Sequence, residues 1–141
     1  MKALYTAVAT AHGGRQGHVT SDDGALDLDT VTPKSMGGPG GAGTNPEQLF
    51  AAGYAACFQS AMGFVAGQQK LDASGSTVTG QVSIGPNDHG AGFMLAVKHV
   101  VTLPNLDQAA AEKLVHDAHQ VCPYSNATRG NIAVDFEVHG K

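Results

Sequence analysis

The chain carries little charge and lacks the features that mark several specialised protein classes. Trp is absent, charged side chains make up 14% of the 141 residues, and the formal net charge is −4. The eight Lys and Arg residues form no cluster, so the chain lacks the basic surface that nucleic acids require. Its 42% hydrophobic content predicts a folded, globular chain. Its length predicts a single domain over residues 1–141.

Neither a signal peptide nor a membrane span is expected. Residues 1–7 contain one Lys and no sustained apolar stretch, which predicts a cytoplasmic protein. Residues 49–66 approach the length of a membrane span, but they are mostly Ala and Gly, with Gln59 and Ser60 at the centre. This pattern favours a buried helix that packs closely through small residues.

Cysteine is also scarce, since Cys57 and Cys122 are the only two in the chain. They could form a structural bridge, contribute to a metal site, lie inert in the core, or act as a nucleophile and its resolving partner. Free cysteines are usually small buried hydrophobes, and a thiol in apolar surroundings is unreactive. Stable disulfides are rare in the cytoplasm, where cysteine pairs are more often catalytic or redox-active. The residues alone leave these alternatives open.

The hydrophobic periodicity predicts an α+β fold with mainly antiparallel sheet and the order βββ-α-ββ-α-β. No βαβ repeat is evident. The Gly-rich stretch 36–43 breaks regular structure, and Asn45 is expected to cap the first helix, with a capping box from Thr44 to Glu47. The predicted strands are 3–10, 18–21, 25–31, 77–84, 93–103 and 132–138, and the predicted helices are 45–69 and 107–121.

Helical spacing predicts that both thiols point inward. On the first helix, one apolar face comprises Phe50, Tyr54, Cys57, Ala61 and Phe64. On the second helix, the inward face comprises Leu114, Ala118, Val121 and Cys122. Two core-facing helices could bring the cysteines within disulfide distance.

A nucleophilic Cys57 would need a nearby cation to lower its pKa. Arg15 lies in a glycine-flanked loop, where a solvated arginine is the simpler interpretation, and Arg129 follows the second helix as a C-terminal helix charge. Glu47 is most simply a capping residue. It precedes Cys57 by ten residues, so one continuous helix separates them by roughly 15 Å. A site containing both therefore requires an intermediary such as Arg15, or a second subunit.

Three rival interpretations remain. His116, His119 and Cys122 follow each other at three-residue steps, but there is no C-x-x-C pair, and no metal site is predicted. The loop at 37–43 lacks the Gly-Lys-Ser/Thr ending of a phosphate-binding loop. A dimeric binding protein with incidental cysteines is the third.

Two long sequence blocks carry a resemblance to a known family. Residues 43–58 read GTNPEQLFAAGYAACF, residues 121–131 read VCPYSNATRGN, and Gly13-Gly14-Arg15 also fits. With these blocks, the chain resembles the organic hydroperoxide resistance (Ohr) branch of the OsmC/Ohr family over essentially its whole length.

The resemblance implies a thiol peroxidase that reduces organic hydroperoxides to alcohols in oxidative-stress defence. By position, Cys57 looks like the peroxidatic cysteine and Cys122 like the resolving one, which would close a disulfide. Arg15 looks like the cation that stabilises the thiolate, and Glu47 like the carboxylate that holds this arginine.

The resemblance also implies partners. Family members are intertwined homodimers with sites at the subunit interface, and they take electrons from dihydrolipoamide or lipoylated proteins without a bound cofactor. In such a site, Phe50, Tyr54 and Phe64 would form an apolar pocket for alkyl or fatty-acid hydroperoxides.

Overall fold

The computed structural model describes all residues, 1–141, and confirms the α+β class and the element order, with one additional short helix. The strands are β1 Ala9–His12, β2 His18–Ser21, β3 Asp27–Asp29, β4 Thr77–Pro86, β5 Phe93–Thr102 and β6 Val134–His139. The helices are α1 Pro46–Gln69, α2 Gln108–Val121 and α3 Pro123–Thr128, and single 3₁₀ turns lie at Gly14–Gln16 and Lys34–Met36. The chain divides into two compact units, residues 1–49 and 50–141, so the single domain over 1–141 stays a prediction.

The first unit contains an antiparallel sheet of order β1-β2-β3. The first strand was predicted at 3–10, but it lies at Ala9–His12 because β2 offers it partners only from His18 to Ser21. The chain beyond Ser21 turns into the β2–β3 hairpin, so the residues before Ala9 have no strand to pair with. Leu4 and Tyr5 are consequently 100% and 80% exposed.

The second unit contains a sheet of order β4-β5-β6 with β5 at its centre. β5 pairs antiparallel with β4 from Thr77↔Thr102 to Pro86↔Phe93. β6 pairs parallel with β5, so α2 and α3 form a crossover between parallel strands. The sequence did not predict this single β-α-β unit, because an alternating strand shows its buried face but not the direction of its partner.

The core of the second unit lies between this sheet and the two longer helices. The buried face of α1 comprises Tyr54, Phe58, Met62, Val65 and Ala66. The inward face of α1 therefore differs from the predicted one, because Phe58 is fully buried and Phe64 is 62% exposed. On α2, Val121 was also predicted to face inward but is 46% exposed. Steps of four from Tyr54 to Met62 centre the packed face on Phe58, and Cys57 lies at its edge, partly buried.

α1 is long and apolar enough to cross a membrane by length and composition alone, with a mean hydropathy of 1.4. A core helix of a soluble protein passes the same test, and α1 packs its Tyr54–Phe58–Met62 face into the core. A third of its most apolar stretch is buried within this chain. Much of the apolar helix surface therefore remains available for another partner.

The helix termini follow local capping rules. The Asn45 carboxamide accepts a hydrogen bond from the Gln48 N–H at 2.8 Å, as predicted for the start of α1. Asp107 caps α2 by accepting from the Ala110 N–H at 2.8 Å. α2 ends at Val121 and α3 starts at Pro123, so Cys122 is the single residue between two helices.

Candidate active site

The two cysteines lie next to each other in the second unit. Both are free thiols, and their sulfur atoms are 3.8 Å apart. A disulfide requires an S–S distance of about 2.05 Å, so an approach of about 1.8 Å would join them. Cys122 is fully buried, whereas Cys57 is partly exposed. This arrangement can form and break a disulfide, with Cys57 as the accessible sulfur.

The chain brings the sulfurs together through the start of α3. Pro123 occupies the first helical position, where its missing N–H costs no hydrogen bond. The backbone N–H of the next residue, Tyr124, acts on Cys57, where it lowers the pKa of the thiol. Sequence reasoning missed both α3 and this contact, although Pro directly after Cys122 is a typical helix-start signal.

Burial raises the pKa of the Cys57 thiol, and the neighbouring Cys122 raises it further. The Tyr124 N–H opposes this rise, because it stabilises the thiolate. Neither neighbour carries a positive charge. Within residues 50–141, Cys57 is therefore close to Cys122, and no neighbouring positive charge lowers the pKa of its thiol.

A bidentate cation–carboxylate pair in the first unit joins Arg15 and Glu47. Arg15 Nη1 donates to Glu47 Oε2 at 2.8 Å, and Nη2 donates to Oε1 at 2.6 Å. This bidentate geometry holds the pKa of Glu47 below its usual value and raises that of Arg15. The Glu47 carboxylate is thus engaged by Arg15, which corrects its predicted use in a capping box. Arg15 is thus ion-paired, although its side chain remains 34% exposed.

A tight backbone turn presents Arg15. It lies in the Gly14–Gln16 turn, which follows Gly13 in the left-handed region at φ 72°. A Cβ at Gly17 would lie 1.8 Å from the His12 carbonyl oxygen, so only glycine fits there. The glycine-flanked motif around Arg15 thus has a structural reason.

Two cavities flank the residues around Cys57. One of about 430 Å³ is lined by Cys57, Ser60, Ala61, Phe64, Val121 and Pro123. Another of about 690 Å³ has Phe50, Phe93 and Tyr124 among its lining residues. Phe64 and Phe50 thus border cavities, but Tyr54 has no exposed surface and lines neither of them. Tyr54 is a core residue, which corrects its predicted place in a substrate pocket.

The two histidines of α2 differ in their surroundings. The His119 Nδ1 lies 2.8 Å from the Ser125 hydroxyl, and His116 is exposed. No group of three or more His, Cys, Asp or Glu side chains is placed to hold a metal ion. Arg129 donates to the His119 carbonyl and to the Asn126 side chain, so it does place its charge at the C-terminal end of α2.

Comparisons with known proteins agree over nearly the full chain. The family described as OsmC-like protein matches residues 38–137. An organic hydroperoxide resistance protein of Xanthomonas axonopodis pv. citri is 56% identical over 133 residues, which cover 94% of this chain and 93% of the relative. Crystal structures of organic hydroperoxide resistance proteins from Legionella pneumophila and Elizabethkingia anophelis have TM-scores of 0.92 and 0.93 at 53% and 49% identity. They cover 98% and 100% of this chain, and 99% and 100% of their own. The chain therefore belongs to the OsmC-like family, in its organic hydroperoxide resistance branch.

Proposed function

We propose that this protein is a cysteine-based peroxidase that reduces organic hydroperoxides to alcohols and so protects against oxidative stress. The observation that carries the proposal is the 3.8 Å separation of two free thiols, one accessible and one buried. The relatives named for organic hydroperoxide resistance support the substrate class.

The reaction begins at Cys57. Its thiolate attacks the distal peroxide oxygen, the O–O bond breaks, and the departing alkoxide takes a proton to become the alcohol. The sulfur loses two electrons and becomes a sulfenic acid. The Cys122 sulfur then attacks the Cys57 sulfur, the S–O bond breaks, and hydroxide leaves as water with the Cys122 proton. A disulfide remains, which protects Cys57 from further oxidation.

Arg15 supplies the positive charge that Cys57 needs, and Glu47 holds the guanidinium in place. Support comes from the pKa of Cys57, which burial and Cys122 raise and no cation within residues 50–141 lowers. An arginine near this sulfur would stabilise the thiolate and the developing alkoxide. The bidentate bond to Glu47 fixes the orientation of the guanidinium.

The substrate is an alkyl or fatty-acid hydroperoxide. The cavity at Cys57 is lined mainly by apolar groups, including Ala61, Phe64 and Val121. An alkyl chain gains free energy by burial there, whereas hydrogen peroxide has no apolar surface to bury. Phe50 lines the other cavity and gives that cavity an apolar surface as well.

The working form is an intertwined homodimer with active sites at the subunit interface. The single chain leaves large apolar side chains exposed, including Leu4, Tyr5, Phe64 and Phe93 at 100%, 80%, 62% and 73%. A second copy would cover this surface, which a soluble monomer would not expose without reason.

Electrons come from dihydrolipoamide or a lipoylated protein in the cytoplasm, and no cofactor is bound. Thiol–disulfide exchange at the accessible Cys57 sulfur returns both cysteines to thiols and oxidises the dithiol. The apolar cavity beside Cys57 suits an alkyl dithiol better than a polar one.

The cysteine roles are tested with cumene hydroperoxide and dihydrolipoamide. We expect turnover in the wild type and none in Cys57→Ser. Cys122→Ser should react once and then stall or overoxidise, as seen by mass spectrometry of Cys57. Full peroxidase activity in Cys57→Ser would refute the assignment. A matched assay with hydrogen peroxide should show a much slower reaction.

The arginine role is tested by the pH dependence of Cys57 alkylation. Arg15→Ala should shift the alkylation profile to higher pH and slow the reaction with peroxide, whereas an unchanged profile would remove Arg15 from this role. Mixing Arg15→Ala with Cys57→Ser asks where the arginine comes from. Partial activity of the heterodimer supports a site shared between subunits, and no recovery contradicts sharing.

One alternative is a dimeric small-molecule binding protein with incidental cysteines. It predicts no peroxide consumption and a Cys57 thiol whose pKa lies near the free value. The alkylation profile of the wild type decides between the two, because the peroxidase requires a thiolate near neutral pH.

A further inference from the structure

A set of hydrogen-bonded side-chain hydroxyls, here called the hydroxyl chain, is buried between α1, which carries Cys57, and α3, which follows Cys122. The Tyr54 hydroxyl lies 3.0 Å from the Ser125 hydroxyl and 3.1 Å from that of Thr128. Ser125 in turn lies 2.8 Å from His119 Nδ1. Tyr54 and Ser125 have no exposed surface, and Thr128 is 5% exposed. Buried polar groups at such depth require partners, and here each of them has one.

The donor and acceptor roles in the hydroxyl chain follow from the single hydrogen that each hydroxyl carries. The Thr128 hydroxyl lies 2.9 Å from the Tyr124 carbonyl oxygen, which can only accept, so Thr128 donates its hydrogen there. Thr128 therefore accepts from Tyr54, and Tyr54 accepts from Ser125. Ser125 then has no hydrogen left and accepts from the Nδ1–H of His119. Every hydroxyl donates once, in a single consistent direction.

The chain is placed one helical turn from each sulfur. Tyr54 precedes Cys57 by three residues on α1, and Ser125 follows Cys122 by three residues into α3. Cys122, which directly precedes α3, places its sulfur 3.8 Å from the Cys57 sulfur on α1. α3 thus adjoins α1 at the sulfur pair on one side and is tied to it by the hydroxyl chain on the other.

We propose that the hydroxyl chain His119–Ser125–Tyr54–Thr128 positions Cys122 against Cys57 for disulfide formation. Tyr54 and Ser125 are positioning residues, because they act through the placement of α3 and touch no reacting atom. The inference deepens the proposed peroxidase by assigning its resolving step to a defined set of groups. It also explains why the fully buried Tyr54 is a tyrosine, when phenylalanine would fill the same core space.

The test measures how strongly the protein favours its own disulfide. Wild type, Tyr54→Phe and Ser125→Ala are equilibrated in glutathione redox buffers, and the Cys57–Cys122 disulfide is quantified by alkylation and mass spectrometry. Each variant should lower the equilibrium constant for disulfide formation about tenfold, the equivalent of one buried hydrogen bond. The double variant should be no worse than either single one, because both break the same chain. Thr128→Val repeats the test from the other end, should one variant fail to fold.

Val65→Ala is the matched control. Val65 is buried on α1, 5% exposed, and takes no part in the hydroxyl chain. It should lower the stability of the fold but leave the disulfide equilibrium constant unchanged. If Tyr54→Phe and Ser125→Ala behave like Val65→Ala, the chain is only structural and the proposal is wrong.

The outcome is separable from that of the proposed function, because the glutathione measurement uses no peroxide. A wild type that fails to reduce cumene hydroperoxide would overturn the peroxidase but not the positioning role. With peroxide, Tyr54→Phe should form the Cys57 sulfenic acid at the wild-type rate and accumulate more sulfinic acid. A wild-type share of sulfinic acid in Tyr54→Phe would contradict the positioning role.

Discussion

His99 should make this protein sensitive to mild acid. It lies on the central strand β5 with no exposed surface, and neither of its ring nitrogens has a hydrogen-bond partner. The ring packs among Tyr54, Phe58 and Phe136, at centroid distances of 4.4, 5.4 and 5.6 Å. Burial, and the charge of His119 when that residue is protonated, lower the pKa of His99 from 6.5 to about 4.

This shift sets both the sign and the size of the effect. Between pH 6.5 and 4 the unfolded chain binds a proton at His99 that the folded chain does not, so stability falls as pH falls. The lowering of the His99 pKa from 6.5 to about 4 corresponds to a loss of about 3 kcal/mol of unfolding free energy across this window. Above pH 6.5 the imidazole is neutral in both states, and His99 no longer makes stability depend on pH.

Replacing the imidazole with an apolar side chain of similar size should remove the pH dependence that His99 causes. Between pH 7.5 and 4, we expect the free energy of unfolding of His99→Leu to fall by about 3 kcal/mol less than that of the wild type, measured by urea unfolding at one protein concentration. Carboxylates contribute to acid unfolding in both proteins, so the difference between the two curves isolates His99. His89→Gln, which removes an exposed imidazole from the β4–β5 loop, is the control. Equal pH dependence in His99→Leu and wild type would refute the reasoning.

Three further substitutions test how the fold is held, each by urea unfolding at neutral pH. Met62→Ala should lower stability by about 2–5 kcal/mol, because the side chain is fully buried in the core, and a loss below 1 kcal/mol would contradict that packing. Asp107→Ala should cost about 1 kcal/mol, because the Ala110 N–H at the start of α2 loses its acceptor, whereas Asp107→Asn should retain most of the stability. Gly17→Ala should disrupt the turn that presents Arg15, because its Cβ would collide with the His12 carbonyl. Retention of wild-type stability and peroxidase activity by Gly17→Ala would show that the turn is unnecessary.

Local rules in the sequence predicted the elements well, but not the faces that pack. Asn45 caps α1 as expected, and Asp107 caps α2 in the same way, because a cap depends on the nearest few residues. The inward face of α1 was misplaced because Phe58 and Phe64 are equally apolar, and only the position of the sheet distinguishes them. The parallel pairing of β6 with β5 could not be predicted either, since the direction of pairing depends on how α2 crosses the sheet.

The contacts of the candidate site were also predicted only in part. The residues alone left the roles of Cys57 and Cys122 open, whereas the family resemblance implied that they pair, and the structure does bring their sulfurs close. The bidentate pair of Arg15 and Glu47 agrees with the family resemblance, whereas the sequence alone favoured a capping role for Glu47. Tyr124 could not be found from residue type, because it contacts Cys57 through its backbone.

The position of Cys122 between two helices has a consequence for the redox cycle. Its amide donates to the Ala118 carbonyl and its carbonyl accepts from the Asn126 N–H, both at 2.9 Å. The main chain at this joint is therefore anchored on both sides and has little freedom to travel. The two sulfurs must therefore approach each other by about 1.8 Å through side-chain rotation of the two cysteines. In the proposed cycle, oxidation and reduction of the cysteine pair should thus leave the main chain around Cys122 in place. Closing the disulfide then needs no slow rearrangement of the joint between α2 and α3.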